Sequence, residues 1–190
     1  MTKFPSTPNR CVMVDGEELW ISRSVTVLAV LVVICDGCAY VPLNQRGPDL
    51  PSEVGKWCLP GGYLDYDETI GGAVLREVWE ELGLDLLALQ AAHRLVGSIE
   101  QPSYVSSQPR RAQNVTMHHP LLLFLSEEAQ LPNLSPQVDR GEVVEARWFT
   151  LDDALTMALA FNHQTVIQRC LTQEFAGHWP PQSIGATSYG

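Results

Sequence analysis

Basic side chains are scarce in this chain. Its 190 residues include 12 Lys and Arg against 22 Asp and Glu, which gives a formal net charge of -10. Such an excess of negative charge repels nucleic-acid backbones and anionic membrane surfaces, so strong general binding to either is not expected. A small anionic substrate is compatible with this charge if a metal ion and a few local basic residues offset it.

Long hydrophobic runs are also absent. The longest apolar stretch, Val25 to Cys35, is too short for a membrane-spanning helix and is typical of a buried strand. Residues 1–10 contain Lys3 and Arg10 but lack the apolar segment of a secretory signal. The five cysteines form an odd, scattered set, which indicates reduced thiols and a cytoplasmic location.

Cysteine pairs with metal-ligand spacing are limited to Cys35 and Cys38. Asp36-Gly37 between them favours a two-residue hairpin turn, with strands over Val25 to Ile34 and Cys38 to Leu43. The spacing is compatible with half a zinc site or a redox pair. A second pair is missing, and redox pairs of this spacing open a helix, so a structural role is favoured.

Internal repeats and a second domain are absent as well. A chain of this length suits one domain with a sizeable core. We expect an N-terminal tail and hairpin over residues 1–21, the main domain over residues 22–175, and a flexible tail over residues 176–190. Asp15-Gly16 is the predicted turn of the first hairpin.

A helix is predicted from about Thr69 to Leu82. Asp67 or Thr69 can cap its start, and Gly83 can end it in the left-handed conformation. At about 100° per residue, four apolar side chains fall on one side. These are Leu75, Val78, Trp79 and Leu82.

Three carboxylates gather on another side of this helix, because residues three and four apart are neighbours there. They are Glu77, Glu80 and Glu81. Such a cluster is either a solvated acidic face or a site for a hard divalent cation, which prefers carboxylate oxygens.

The stretch from Gly62 to Leu84 resembles the Nudix box, G-x5-E-x7-R-E-U-x-E-E-x-G-U, where U is a bulky aliphatic residue. Every defined position of the pattern is matched. The matching residues are Gly62, Glu68, Arg76, Glu77, Val78, Glu80, Glu81, Gly83 and Leu84.

The resemblance implies an α/β fold, the Nudix α/β/α sandwich with a mixed central sheet. It also implies catalytic roles for Glu77, Glu80, Glu81 and Arg76, with the three glutamates binding Mg2+ or Mn2+. Glu68 would brace the loop. Arg76 precedes Glu80 by four residues and can also pair with it on the helix surface.

A further metal ligand or base is implied shortly before the Trp-Phe pair at residues 148–149. Glu142 and Glu145 are both candidates. They lie on opposite faces of the predicted strand at residues 142–149, because their separation is odd. We favour Glu142.

Substrate contacts are expected from four residues outside the helix. Gly61 and Gly62 allow a sharp turn and a close backbone approach to a ligand. Arg46 follows a strand and either meets a phosphate or is an ordinary exposed arginine. Tyr104 lies in a polar stretch, residues 101–113, that is either a solvated loop or a specificity loop in which Tyr104 stacks on a base beside Arg110 and Arg111.

The remaining pattern predicts a short connection over residues 85–92, strands over residues 95–99 and 114–125, and a final helix over residues 151–175. His118 and His119 are adjacent, so they point to opposite faces of their strand. One of them faces the substrate cleft, or both are structural.

The predicted function is a metal-dependent pyrophosphohydrolase that cleaves the phosphoanhydride of a nucleoside diphosphate derivative. ADP-ribose, dinucleotides, nucleoside triphosphates and capped RNA are all left open as substrates. The alternatives are a non-catalytic nucleotide-binding regulator and an isoprenoid-diphosphate isomerase of the same fold. Some family members dimerise through N-terminal strands, so a homodimer is also left open.

Overall fold

The computed structural model describes residues 9–107, 114–175 and 177–179. The tails predicted for residues 1–9 and 176–190 therefore lie largely outside the described residues. Arg110 and Arg111, which belong to the possible specificity loop, lie outside them entirely.

Two β-sheets are present in the described part of the chain. The first is a hairpin of β1 (Arg10–Val14) and β2 (Glu17–Ile21). The second is a seven-stranded sheet. Its members are β3 (Val25–Cys35), β4 (Cys38–Arg46), β5 (Trp57–Cys58), β6 (Arg94–Val96), β7 (Tyr104–Ser107), β8 (Val115–Phe124) and β9 (Val143–Thr150).

The larger sheet is mixed, as predicted. Its centre is a parallel ladder between β3 and β8, which runs from Val25 beside Val115 to Ile34 beside Phe124. The other pairings, β3 with β4, β4 with β5 and β9, and β8 with β6 and β7, are antiparallel.

Helical segments account for the rest of the regular structure. They are α1 (Ile70–Leu82), α2 (Leu86–Ala92), α3 (Leu151–Thr156), a 3-10 turn (Ala160–Asn162), α4 (His163–Arg169) and a π turn (Cys170–Glu174). No helix within the described ranges is long and apolar enough to cross a membrane. The cytoplasmic location and the homodimer stay predictions.

The sheet separates two apolar layers because side chains alternate along its central strand β3. Val27, Ala29 and Leu31 pack in the layer that holds α1. Leu28 and Val30 pack in the layer that holds α4. The molecule is therefore the predicted α/β/α sandwich.

Both predicted hairpin turns are confirmed. Asp15 and Asp36 have φ of 51° and 48°, and each is followed by a glycine that also has positive φ. Cys35 and Cys38 stand opposite each other across the second turn. All five cysteines are free thiols.

Four sequence-based assignments are wrong. Residues 86–92 form α2, capped by the Asp85 side chain, rather than a plain connection. Part of the predicted loop at residues 101–113 is strand β7. The strand predicted at residues 95–99 is shorter, at Arg94–Val96. The final helix is interrupted where Phe161 and Asn162 adopt left-handed backbone angles.

The ends of α1 follow the predicted capping chemistry. The Thr69 hydroxyl accepts a hydrogen bond from Gly72 N at 3.0 Å, which settles the choice between Asp67 and Thr69. Gly83 closes the helix with φ of 71°. A Cβ at Gly83 would overlap the carbonyl oxygen of Ser135, so this position requires glycine for two reasons.

Gly83→Ala is expected to destabilise the protein by more than Gly55→Ala does. Both glycines have positive φ, but a Cβ at Gly55 would meet no atom within 4 Å. Gly55→Ala therefore reports the cost of the left-handed conformation alone, about 1–2 kcal/mol. Chemical denaturation of both variants measures the difference, and equal losses would show that the contact with Ser135 contributes nothing.

Candidate active site

Helix α1 turns two of its three clustered glutamates into the protein. Glu77 and Glu81 have exposed fractions of 7% and 6%, and Val74, Val78 and Leu82 are fully buried. The prediction that Trp79 lies on the buried face is wrong, because its side chain is 47% exposed. The two acids occupy part of the buried arc, so the helix is rotated away from Trp79.

The carboxylate of Glu81 is held by two donors. Its Oε2 accepts hydrogen bonds from Asn44 Nδ2 at 2.8 Å and from Gly61 N at 2.9 Å. Asn44 is 1% exposed, and its Oδ1 accepts from Cys58 Sγ at 3.0 Å. A thiol donor at Oδ1 directs Nδ2 towards Glu81, so the amide can hold the acid in only one orientation.

Asn44 was missed by the sequence reasoning. The sequence signal for it was weak, because Asn44 is the first of three polar residues, Asn44 to Arg46, that end strand β4. Only its burial, which the sequence does not show, requires a partner for the amide.

The paired glycines make room for this cluster. Val27 N donates to Gly62 O at 2.9 Å, and Ala29 N donates to Pro60 O at 3.0 Å, so the turn lies along β3. A Cβ at Gly61 would overlap the Val27 carbonyl, and one at Gly62 would lie 2.5 Å from Glu77 Oε1. Only glycine lets the chain pass between the strand and the acid.

Arg76 connects the acids with the loop before the helix. Its guanidinium donates to Glu68 Oε1 at 2.6 Å, to Glu77 Oε1 at 2.7 Å and to Glu80 Oε2 at 3.1 Å. Glu68 Oε1 also accepts from Asp65 N at 2.8 Å. Hydrogen bonds from Arg76 lower the pKa of Glu68, and Glu68 in turn raises the pKa of Arg76. Arg76 thus stays charged and fixes both the loop and two acids.

Burial makes Glu77 and Glu81 hard to ionise. Desolvation raises the pKa of Glu77 to about 7, although Arg76 opposes the rise, and the charges of Glu80 and Glu142 add to it. Desolvation and the charge of Glu77 raise the pKa of Glu81 well above its ordinary value. A positive charge supplied from outside would relieve both acids.

Of the two candidates near the Trp-Phe pair, Glu142 is the one near the cluster. Its charge contributes to the raised pKa of Glu77 and of Glu81. Glu145 instead accepts from Arg147 in an ion pair of 2.8 Å.

The donor set fits a hard divalent cation, because Glu77, Glu80, Glu81 and Glu142 are all carboxylates. Among residues 9–107, 114–175 and 177–179, however, no three side chains of ligand type already stand in a closed metal-binding arrangement. Arg76 Nη1 lies within hydrogen-bonding distance of both Glu77 and Glu80.

Arg46 lies at the edge of the cluster. It ends strand β4, and its charge lowers the pKa of Glu81, although this effect is smaller than that of burial. Its Nε donates to Ser52 O at 3.1 Å. The guanidinium carbon lies 4.9 Å from the centre of the Phe161 ring.

Tyr104 is not brought to the carboxylates. Its ring packs in the apolar layer of α4, stacked on His118 with centroids 4.2 Å apart. The Arg169 guanidinium carbon lies 3.9 Å from the centre of the same ring. Both ring faces are therefore covered, so stacking on a base would require these contacts to open.

The two adjacent histidines point to opposite faces, as predicted. His118 Nε2 lies 2.8 Å from Ser106 Oγ, and His119 Nδ1 lies 3.2 Å from Ser98 O. Burial lowers the pKa of both rings. These contacts are those of structural histidines.

The whole region that builds this site has a family counterpart. Residues 25–170 match the family model described as NUDIX domain. The chain belongs to the Nudix family. It is 30% identical over 151 residues to the human m7GpppN-mRNA hydrolase NUDT17, an alignment that covers 77% of this chain and 44% of that protein.

Two solved structures also share this Nudix fold. The NUDIX domain of Shewanella oneidensis NrtR, complexed with ADP ribose, matches with a TM-score of 0.57 and 26% identity over 79% of this chain and 87% of that one. A Francisella tularensis bifunctional NMN adenylyltransferase/ADP ribose pyrophosphatase, complexed with AMP and a Mn ion, matches with a TM-score of 0.54 and 25% identity. This match covers 77% of this chain and 41% of that one.

The match to this chain covers only part of each curated relative. The chain spans about half of their length, with 44% of human NUDT17 and 54% of Nudix hydrolase 3 from Caenorhabditis elegans. The shared part is the Nudix domain.

Glu77→Gln is expected to stabilise the metal-free protein at pH 8 and to have a much smaller effect near pH 5. The pKa of Glu77 is about 7 in the folded state and has an ordinary value of 4.5. Ionisation of Glu77 therefore destabilises the folded protein, and this destabilisation grows as the pH rises from 4.5 to about 7. The difference between these two pKa values corresponds to a gain in the free energy of unfolding on the order of 3 kcal/mol for Glu77→Gln at pH 8.

Denaturation in the presence of EDTA at both pH values measures this effect. The exposed Glu127→Gln is the matched control and should change neither curve. A Glu77→Gln protein that is equally destabilised at pH 5 and pH 8 would contradict the prediction.

Proposed function

We propose that this Nudix protein is a metal-dependent pyrophosphohydrolase that cleaves the phosphoanhydride of a nucleoside diphosphate derivative. The observation that carries the proposal is the placement of buried Glu77 and Glu81 beside the Gly61-Gly62 turn, with Glu80 and Glu142 nearby. Relatives named for mRNA-cap hydrolysis and for ADP-ribose pyrophosphatase activity support the same class of bond.

The proposed metal ligands are Glu77, Glu80, Glu81 and Glu142, and Mg2+ is the expected ion, with Mn2+ as a substitute. Carboxylate oxygens suit both ions, and substrate phosphates commonly share the coordination of Mg2+. A bound ion would neutralise charge on the diphosphate and lower the pKa of an attacking water. The Mn ion in the Francisella tularensis structure supports this choice.

The protein's own groups would set the position of these ligands. Asn44 and the Gly61 N–H hold Oε2 of Glu81, which leaves its Oε1 as the free ligand atom. Arg76 holds Glu77 and Glu80 at one nitrogen and anchors them to Glu68. This arrangement keeps the mutually repelling acids ordered until substrate arrives.

Two further roles follow from position. Glu142 is exposed at the edge of the cluster, where its carboxylate can act as a ligand or accept the proton of the attacking water. Arg46 adds positive charge beside Glu81 and is suited to hold a phosphate with its planar fork. Gly61 and Gly62 would bring the backbone close to the bound phosphates.

Glu80→Gln and Glu81→Gln are each expected to lower turnover about 10²-fold or more with the fold intact, because each removes a ligand charge from the reacting centre. The assay incubates each protein with Mg2+ and ADP-ribose, a dinucleotide, a nucleoside triphosphate or capped RNA. Phosphate-containing products are then quantified. Glu145→Gln, which changes a carboxylate paired with Arg147, is the matched control and should retain turnover.

Three results would count against the proposal. Near-normal turnover in both Glu80→Gln and Glu81→Gln would remove the carboxylate mechanism. Full turnover after treatment with EDTA would remove the metal requirement. Nucleotide binding by the wild type without hydrolysis of any substrate would identify a non-catalytic regulator instead.

A further inference from the structure

The 3-10 turn between α3 and α4 holds an aromatic side chain in an unfavourable backbone conformation. Phe161 has φ of 54° and ψ of 19°, and Asn162 follows with φ of 59° and ψ of 37°. Two consecutive residues other than glycine in the left-handed region cost free energy that the surrounding structure must offset. Packing does not explain the cost, because the Phe161 side chain is 50% exposed.

The neighbours of this ring tie it to the carboxylate site. The Arg46 guanidinium lies over the ring at 4.9 Å, and Arg46 ends strand β4 two residues after Asn44, whose amide donates to Glu81. His163 follows in the chain with its ring 5.6 Å away, and its Nδ1 accepts from Leu59 N at 3.1 Å. Leu59 leads directly into the Gly61-Gly62 turn. The hydrogen bond from Leu59 to His163 therefore keeps the neighbouring Phe161 ring beside the site.

An exposed aromatic ring next to an arginine has a defined binding chemistry. The ring offers a flat apolar face on which any nucleobase can stack, and the guanidinium offers paired donors for phosphate. A nucleotide presents both groups, separated by its ribose. A phosphate compound without a base would use only the arginine.

We propose that Phe161 is the stacking platform of a nucleobase subsite, with Arg46 holding the adjoining phosphate. The proposal rests on the function proposed above and narrows it to substrates that carry an aromatic base. In this proposal, the left-handed backbone of the turn keeps the Phe161 ring beside Arg46 and exposed to ligand.

The test compares two ligands that differ only in the base. AMP and ribose 5-phosphate share the sugar and the phosphate, and their dissociation constants can be measured by calorimetry in Mg2+. Wild type should prefer AMP, and Phe161→Ala should reduce this preference about 5- to 100-fold, the range that base stacking on an aromatic side chain supplies. Binding of ribose 5-phosphate should change little.

Further variants separate stacking from other effects. Phe161→Trp keeps an aromatic face and should retain the preference, whereas Phe161→Leu keeps apolar bulk and should lose it. Arg46→Met should weaken both ligands by a similar factor. Trp20→Ala removes an aromatic side chain that is 67% exposed on the separate hairpin and should change neither ligand. For a substrate that turns over, Phe161→Ala should raise KM and change kcat little.

The outcomes distinguish this proposal from the proposed function. Wild-type turnover together with an AMP preference that Phe161→Ala leaves intact would overturn the stacking subsite alone. Loss of the preference in Phe161→Ala, in a protein without turnover, would support the subsite and overturn the hydrolase. Equal wild-type affinity for AMP and ribose 5-phosphate, or detectable binding of neither, would overturn the subsite.

Discussion

The burial of negative charge at one end of α1 is the constraint on which this structure depends. Burial disfavours the charged forms of Glu77 and Glu81, and the charge of Glu77 adds to the cost of ionising Glu81. Removing a carboxylate from water costs several kcal/mol unless partners replace the lost hydration. Arg76, Asn44 and the Gly61 N–H are those partners. They offset the cost only in part, and the remaining excess of negative charge is what the proposed metal ion would neutralise.

The sheet supports this arrangement at the point where the chain passes from β5 into the glycine turn. Pro60 and Gly62 carbonyls accept from β3, and Cys58 supports Asn44 from the neighbouring β5. The acids therefore contact backbone on one side and strand side chains on the other. A loop alone would not hold them so closely, because loops lack this density of fixed donors.

Local chemistry explains most of what the sequence predicted correctly. Hydrophobic periodicity, helix-capping residues and Asp-Gly turn pairs correctly predict α1, both hairpins and the central strands. Each of these signals depends only on residues that are close in the chain. The orientation of α1 was wrong at Trp79, because hydrophobicity does not anticipate that acids will take the buried arc. The break at Phe161 carries no glycine or proline, and Asn162, a residue type that tolerates left-handed angles, is a weak local signal for it. Asn44 requires a partner on α1, and such long-range pairing cannot be read from one strand.

The predicted substrate residues also differ in whether their positions depend on nearby residues or on long-range contacts. Gly61 and Gly62 belong to or directly precede a motif that is contiguous in the chain, and they lie beside the acids. Their contact with substrate stays a prediction. Tyr104 was chosen for its chemistry in a segment expected to be a loop, yet strand β7 packs it against His118. Composition indicates which side chains could meet a ligand, whereas sheet topology decides which of them are free to do so.

The parallel ladder at the centre has a consequence for how the chain acquires its structure. Val25 to Ile34 pair with Val115 to Phe124, so the most apolar strand finds its main neighbour only after a long stretch of chain has been synthesised. Closing so large a loop is slow, and contacts of this kind lower folding rates. Until β8 leaves the ribosome, β3 can pair with β4 and with the glycine turn, while the edge that β8 will occupy stays open to other chains. The nascent protein is therefore most exposed to aggregation before β8 has been made, and chaperones would matter most during that interval.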